Sequence, residues 1–448
     1  MQEKLASRTI VLKKITTNDA TRKYLLWFKD RQTKKFIENS KSIKNILDLK
    51  KNIKFENSKK NSYFFKIITR SGIHIGNVKI EINLNTNTST LGILIGEKKW
   101  RGKQILNEVS EVLSNWLFKN FSITNLNSGS DTKNLPSIKG FLNSNYRIIS
   151  KSKKIIKFNK NYLISKLIIG TANFGKIYGF NDSIKKININ SIKKKLLENN
   201  FSHYDTSKNY NSEKLIGKLP KSLKTKVFTK ININPEKINK FSIVSQVKKS
   251  LVDCKVRELE GVLIHNQDIV FDKRFHKIIS ILKYLKNKGL VKKIGISIYD
   301  FEILRKFEKK LKSLDVINLP YNIFDRRLEK REIIKIIKRN NFEIHARSVF
   351  LQGILTKKFK KLPSFFIKWK KHFIKWENFL KKNKISAYEF CLLFVLKNQL
   401  ISKIIVGFEN KKQLNNFTTI KLRKIKKVPK FNISKNSNLI RPDLWVTN

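Results

Sequence analysis

The chain is poor in cysteine, glycine, proline and acid. Only Cys254 and Cys391 occur in 448 residues. Two thiols make no disulfide framework and no plausible zinc cluster, so no metal is expected. No apolar run approaches the ~20 residues that cross a bilayer, and no membrane span is expected. The N-terminus, Met-Gln-Glu-Lys-Leu-Ala-Ser-Arg, lacks an apolar signal core, which points to the cytoplasm. Acidic residues number 33 against 97 lysines and arginines, for a formal charge of +64. That balance invites a nucleic-acid reading. Yet the lysines are spread among Asn, Ile and Phe in nearly every segment, while glycine and proline number only 16 and 7. This reads as the bias of a whole proteome. A binding face would concentrate charge and interleave aromatics for stacking. No specific nucleic-acid partner is expected, only weak, salt-sensitive association with polyanions.

What is present is enough apolar material for a folded protein, 40%. The length suggests two or more domains. The C-terminal two thirds is organised around residues 203–210, His-Tyr-Asp-Thr-Ser-Lys-Asn-Tyr. This stretch delivers a carboxylate, Asp205, and a phenol, Tyr210. A second apolar run ends in Lys230 and a third in His265. Alone, Asp205 also reads as a helix cap, Lys230 as one lysine of many, and His265 as a core histidine. In order, at or just beyond successive strand ends, they read together as chemistry. A phenol has a reference pKa of about 10. A neighbouring ammonium should lower it, a carboxylate should fix the ammonium, and an imidazole can orient a carbonyl. The product is a proton donor aimed at a carbonyl oxygen.

The surrounding rhythm is that of a closed parallel barrel. Short apolar strands are expected at 167–169, in the stretch carrying Asp205, and at 227–230, 261–265, 293–297, 315–318, 343–347 and 403–406. Helices are expected between them, at 244–252, 275–287, 301–311, 332–339 and 387–398, with another around Ile192, Leu196 and Leu197. Near-continuous apolar strands alternating with helices imply a (β/α)8 barrel, whose C-terminal strand ends form the catalytic rim. About 290 residues remain for it, more than the roughly 250 of a plain barrel. The surplus, 357–379, reads as a helical insertion, either over the site or packed peripherally.

This part of the chain resembles the aldo-keto reductase superfamily. The likeness is carried by Gly170-Thr171-Ala172-Asn173-Phe174-Gly175, Asp205-Thr206-Ser207 with Tyr210 and Ser212-Glu213, and Thr229-Lys230. It continues in Leu263-Ile264-His265-Asn266, Gly295-Ile296-Ser297, Pro320-Tyr321-Asn322 with Asp325-Arg326-Arg327, and Val406-Gly407 with Gln413-Leu414. The resemblance implies catalytic roles for Asp205, Tyr210, Lys230 and His265, and a nicotinamide dinucleotide across the barrel mouth. Gly170, Thr171 and Ala172 would border the nicotinamide. Ser297 and Asn318 would bond its carboxamide, and Tyr321 would stack on its ring. Ser348, Leu351 and Gly353 belong to the loop that would cover the pyrophosphate. Gly407, Asn410 and Gln413 would lie at the adenosine phosphate. The position after Ser297 is Ile298, which cannot make the amide contact common there. Glu409 stands where an arginine is common, with Lys411 and Lys412 beside it. The cofactor expected is NADP, or NAD.

The N-terminal third reads as strands at 9–13, 62–68, 73–80 and 91–95, with a helix carrying Tyr24 to Phe28. A basic loop and an amphipathic helix follow, with apolar residues at Ile105, Leu106, Val109, Val112, Leu113 and Trp116. Residues 125–128 and 146–149 complete a β-rich end. The order resembles acetyltransferases of the GNAT superfamily. This implies an α+β domain with a mixed sheet, in which Arg101, Gly102, Lys103 and Asn134 would serve acetyl-CoA. The loop before the long helix would hold a pyrophosphate on backbone N–H groups. Gln104 and Leu106 stand where small residues are customary, so weak acetyl-CoA binding, or none, is expected.

The expected domains are 1–155, GNAT-like, and 161–448, the barrel. The basic stretch 151–161 reads as an aperiodic join. The expected function is NAD(P)-dependent reduction of a small carbonyl, with a sugar or nucleotide-sugar as the suggested substrate. The alternative is a catalytically silent cofactor-sensing protein with a degenerate GNAT domain.

Overall fold

The computed structural model describes residues 5–7, 9–175, 188–199, 201–224, 226–418, 420, 428–431 and 436–445. Residues 1–4 and 8, part of the stretch read for a signal core, lie outside these. The chain forms two compact units, Met1–Ser165 and Lys166–Asn448. No helix among the described residues is long and apolar enough to cross a membrane.

The first unit is a mixed sheet. Its strands are β1 (Leu5–Ala6), β2 (Ile10–Lys14), β3 (Ser62–Thr69), β4 (His74–Asn83), β5 (Thr88–Ile95), β6 (Asn125–Asp131), β7 (Arg147–Lys151) and β8 (Ile155–Asn161). They pair in the order β1-β2-β3-β4-β5-β6-β8-β7. Only β5 and β6 run parallel, and their pairing covers just Thr88–Thr90 against Asn125–Asn127. The helix Ile105–Phe121 buries Ile105, Val109, Leu113 and Leu117 against one face. On the other face Tyr24, Trp27 and Phe28 pack with Leu49, Ile53 and Phe64.

The stretch read as a join is a strand of this sheet, and the first unit runs past it. β8 pairs antiparallel with β6 along its whole length. Ile156, Phe158 and Lys160 are its inward residues at period two, all buried. The period was hidden because one of the three is a lysine. Its ammonium is sealed inside and paired with Glu111 at 3.0 Å.

The second unit is a closed parallel barrel. Its strands are β9 (Leu167–Gly170), β10 (His203–Asp205), β11 (Lys226–Ile231), β12 (Leu259–Ile264), β13 (Val291–Ser297), β14 (Val316–Pro320), β15 (Glu343–Arg347) and β16 (Ile401–Val406). β10 to β16 follow in order and β9 closes the ring. Each strand is buried on both faces, hence the apolar runs. Ile168, Phe228, Leu263, Val316 and Ile405 fill the interior. Glycine at 295 is forced by close approach, since a Cβ there would sit 2.4 Å from the Val316 carbonyl oxygen. The helix expected at 301–311 is broken at Phe307 into Glu302–Lys306 and Glu308–Leu311.

The insertion forms short turns and the helix Lys370–Lys382. It packs on the loops after β14 and β15. Phe373 meets Phe324 at 5.4 Å between ring centroids, and the Trp376 indole donates to the Leu355 carbonyl at 2.9 Å. A C-terminal segment joins it, with Trp445 edge-on to Phe366.

The opposite end of the barrel holds a charge cluster. Lys293 reaches Glu343 at 2.7 Å and Glu260 at 3.4 Å, and His345 meets Glu343 at 2.9 Å. Burial alone would raise the Glu343 carboxyl, but Lys293 and His345 hold it well below the usual range. A depressed carboxyl contributes stability above its unfolded pKa, about 4.3, and that stability is lost as pH falls through the folded value. In urea titrations across that acid window, wild type should lose stability more steeply than Glu343→Gln. Parallel acid limbs would contradict this.

Candidate active site

Strand geometry delivers the sequence-predicted tetrad to one place. Asp205 is the last residue of β10, paired with Gly170 and Phe228 on its two sides. Beyond it the chain turns through Lys208–Tyr210, capped by the Ser207 hydroxyl, which accepts from Asn209 N–H at 3.3 Å. This turn carries Tyr210 back over the rim. Lys230, near the end of β11, is buried at 2% exposure, and its ammonium bonds Asp205 and the Thr206 carbonyl. The Lys230 Nζ lies 5.5 Å from the Tyr210 ring centroid. His265 follows β12 and stands edge-on to Tyr210, 6.0 Å between centroids at 88°. Its Nδ1 is bonded to the Ser207 hydroxyl at 3.2 Å.

The electrostatics correct one expectation. Burial pushes the Tyr210 phenol above its usual range, Asp205 adds to the rise, and Arg347 opposes it. Burial also lowers Lys230, against the pull of Asp205. Burial and Asp205 together outweigh the positive charge around the phenol, so it is raised rather than lowered. Tyr210 therefore holds its proton throughout the neutral range, as a donor must.

The residues read as cofactor contacts divide. Gly170 closes β9 against Ile405, and the Thr171 hydroxyl bonds the Asp205 carbonyl at 3.1 Å and Ser212 at 2.8 Å. Ala172 opens the short helix Ala172–Gly175. Ser297 ends β13 beside Asn318 of β14. Asn318 is fully buried, and neither its side-chain oxygen nor its nitrogen has a hydrogen-bond partner among the described residues. Tyr321 follows β14 directly, with its ring enclosed by protein. It is 2% exposed, stacked on Phe394 at 5.1 Å, with its hydroxyl donating to Glu329 at 2.7 Å. Phe394 takes up the stacked face of this ring.

The loop after β15 is unusual in its backbone. Ser348, Leu351 and Gln352 take φ of +56°, +46° and +50°, and Gly353 +89°. Such conformations are costly for non-glycine residues and cluster at ligand-binding loops. Leu351 is buried, so this part of the loop presents backbone. Gly407 follows β16 with open space where a Cβ would sit. Asn410 accepts from Gln413 N–H at 3.0 Å, and Gln413 clasps Glu409, accepting at 2.9 Å and donating at 3.1 Å. These side chains shape the entry to the helix Lys411–Thr418.

In the first unit Gly102 and Gln104 both adopt left-handed φ, +78° and +59°. The loop keeps a glycine-like backbone at Gln104, and no side chain caps the helix it starts. Arg101 is not available to a ligand as expected. Its guanidinium bonds the Ile95 and Gly96 carbonyls, Gln32 and Asp30. Lys103 closes the turn through its backbone N–H on Trp100. Asn134 caps Leu135–Asn143.

Sequence reading passed over the roles of Ser207 and Arg347. Arg347 ends β15, and the rule that found Lys230, a polar residue at a strand's C-terminal end, points to it equally.

The aldo/keto reductase family model matches residues 166–427, and the acetyltransferase (GNAT) domain model matches residues 9–142. Among solved structures the chain is similar to an aldo-keto reductase from Klebsiella pneumoniae in complex with NADPH. That match has 13% identity and a TM-score of 0.44, covering 57% of this chain and 86% of that one. It is similar to a glycerol dehydrogenase of Gluconobacter oxydans at 21% identity and TM-score 0.44, covering 60% and 88%. An aldo-keto reductase of Pseudomonas aeruginosa matches at 16% identity and TM-score 0.41, covering 56% and 88%. No curated protein matches.

Proposed function

The chain belongs to the aldo/keto reductase family, and on that premise we propose that its barrel reduces a small carbonyl compound, or oxidises the matching alcohol, with NADP or NAD. When bound, the nicotinamide dinucleotide supplies the hydride. Tyr210 donates the proton to the carbonyl oxygen. Lys230 and Asp205 fix the phenol's surroundings, and His265 orients the carbonyl. The observation that carries this reading is the convergence of the tetrad around the Lys230–Asp205 ion pair. The residues also suit the cofactor. The buried Asn318 amide has a donor and an acceptor unmatched, which a carboxamide satisfies. Exposed Lys411 and Lys412 favour the 2′-phosphate of NADP, since Gln413 already engages the Glu409 carboxylate.

For the first unit we propose at most weak acetyl-CoA binding. The uncapped helix start suits a phosphate, but Arg101 is engaged and Gln104 and Leu106 are bulky. The pairing of the two units favours an amino or keto sugar, or its nucleotide, as substrate.

Fluorescence titration of the whole protein with NADPH, NADH and acetyl-CoA tests both sites at once. Saturable NADPH binding with little response to acetyl-CoA is expected. Failure to bind either dinucleotide would overturn the barrel reading. Micromolar acetyl-CoA affinity would overturn the reading of the loop. A carbonyl panel then separates reduction from silent cofactor binding.

A further inference from the structure

Arg347 ends β15, at the same rim as Asp205 and Lys230. Its guanidinium lies 3.7 Å from the centroid of the Tyr299 ring, which follows β13. One Nη donates to the Ile298 carbonyl at 3.0 Å and the other to the Ser348 hydroxyl at 3.3 Å. The arginine is thus half-buried and fixed by a ring and two acceptors. Arg441, from the C-terminal segment, lies 5.7 Å from the same ring centroid.

Nearby cations have carboxylates of their own. Lys230 holds Asp205, Arg327 holds Asp325, Arg326 holds Glu329 and Arg441 holds Asp443. Among the described residues no carboxylate lies within ion-pair distance of Arg347; Asp325 feels its charge but is held by Arg327. In a chain with 97 basic and 33 acidic residues most cations must lack a partner, so this alone means little. The difference is position. An exposed lysine is fully hydrated, whereas a half-buried, immobilised guanidinium has lost part of its water and presents a fork suited to an oxyanion. Its field also reaches the tetrad, since it lowers Tyr210 and Lys230.

We propose that Arg347, held against Tyr299, recognises an anionic group on the substrate, so that the carbonyl compound carries a carboxylate or phosphate. The inference rests on the proposed carbonyl reduction and narrows its substrate class. A carboxylate or phosphate on Arg347 would tether the substrate at the rim that carries Tyr210.

The test uses the whole protein with two aldehydes, para-carboxybenzaldehyde and para-nitrobenzaldehyde. Arg347→Gln should lower kcat/KM for the charged aldehyde relative to the neutral one by about 10–100-fold, the range of a charge-assisted hydrogen bond. The loss should fall mainly on KM, and Arg347→Lys should recover part of it. Turnover of the neutral aldehyde reports that the variant is folded. Direct binding of the charged aldehyde to the NADPH complex, read by nicotinamide fluorescence, carries the test without turnover. Weaker binding in Arg347→Gln supports the inference even if no aldehyde is reduced, in which case only the reduction reading fails. An unchanged ratio with unchanged aldehyde binding would overturn it. So would an equal loss of NADPH affinity, which would assign the arginine to a cofactor phosphate.

Discussion

Tyr210→Phe should lower carbonyl reduction by about 10²–10⁴-fold, the usual contribution of a positioned general acid. The substitution keeps the ring, and with it the edge contact to His265 and the position over Lys230. It removes only the hydroxyl that carries the proton. Cofactor affinity should change little, because the hydroxyl faces substrate in this account. The pH dependence gives a second readout. Burial and Asp205 raise the phenol, so its protonated, active form persists above the ordinary phenol value of about 10. The wild-type rate should therefore show no basic limb from this group at or below that value. A limb near neutrality that vanishes in Tyr210→Phe would contradict the burial argument. Near-normal kcat in the variant would remove the phenol from the mechanism.

Lys230→Met should both destabilise the barrel and suppress turnover. The lysine and Asp205 are buried to 2% and 6% side-chain exposure. Removing one partner leaves an uncompensated charge inside, at a cost of about 3–5 kcal/mol. Asp205 is ill placed to absorb it, because its Oδ1 has no hydrogen-bond partner among the described residues. The double variant Asp205→Asn/Lys230→Met removes both charges. It should regain stability relative to Lys230→Met but no activity. Urea unfolding of the two variants beside wild type, with kcat, separates structure from chemistry. A Lys230→Met protein as stable as wild type would mean the pair is not sealed as described.

The barrel was legible because its strands are buried on both faces and so read as bare apolar runs. The tetrad was legible because a polar side chain at the end of such a run has few structural uses. What escaped reading had burial and sequence at odds. Lys160 points inward with Ile156 and Phe158, and its pairing with Glu111 lies 49 positions away in the chain. The helix Ile46–Ser58 went unread, although Asn45 and Asp48 form a capping box at its start. Tyr321 looked like a ring platform because of its neighbours in sequence. Its partners Phe394 and Glu329 turn it into the wall instead. The phenol's raised pKa was missed for a related reason. Sequence brings a lysine near Tyr210 but says nothing of how deeply the phenol is buried or that Asp205 raises it further.

The central claim is that hydride and proton meet at one carbonyl beside Tyr210. The most direct measurement is a single turnover with NADPH deuterated at the transferring carbon, mixed with an aromatic aldehyde, with the product alcohol analysed by mass spectrometry. The account predicts loss of NADPH absorbance with deuterium on the carbinol carbon, and no such product from Tyr210→Phe on the same timescale. Tight NADPH binding with no oxidation by any aldehyde, anionic or neutral, would contradict it and leave a protein that holds its cofactor without using it.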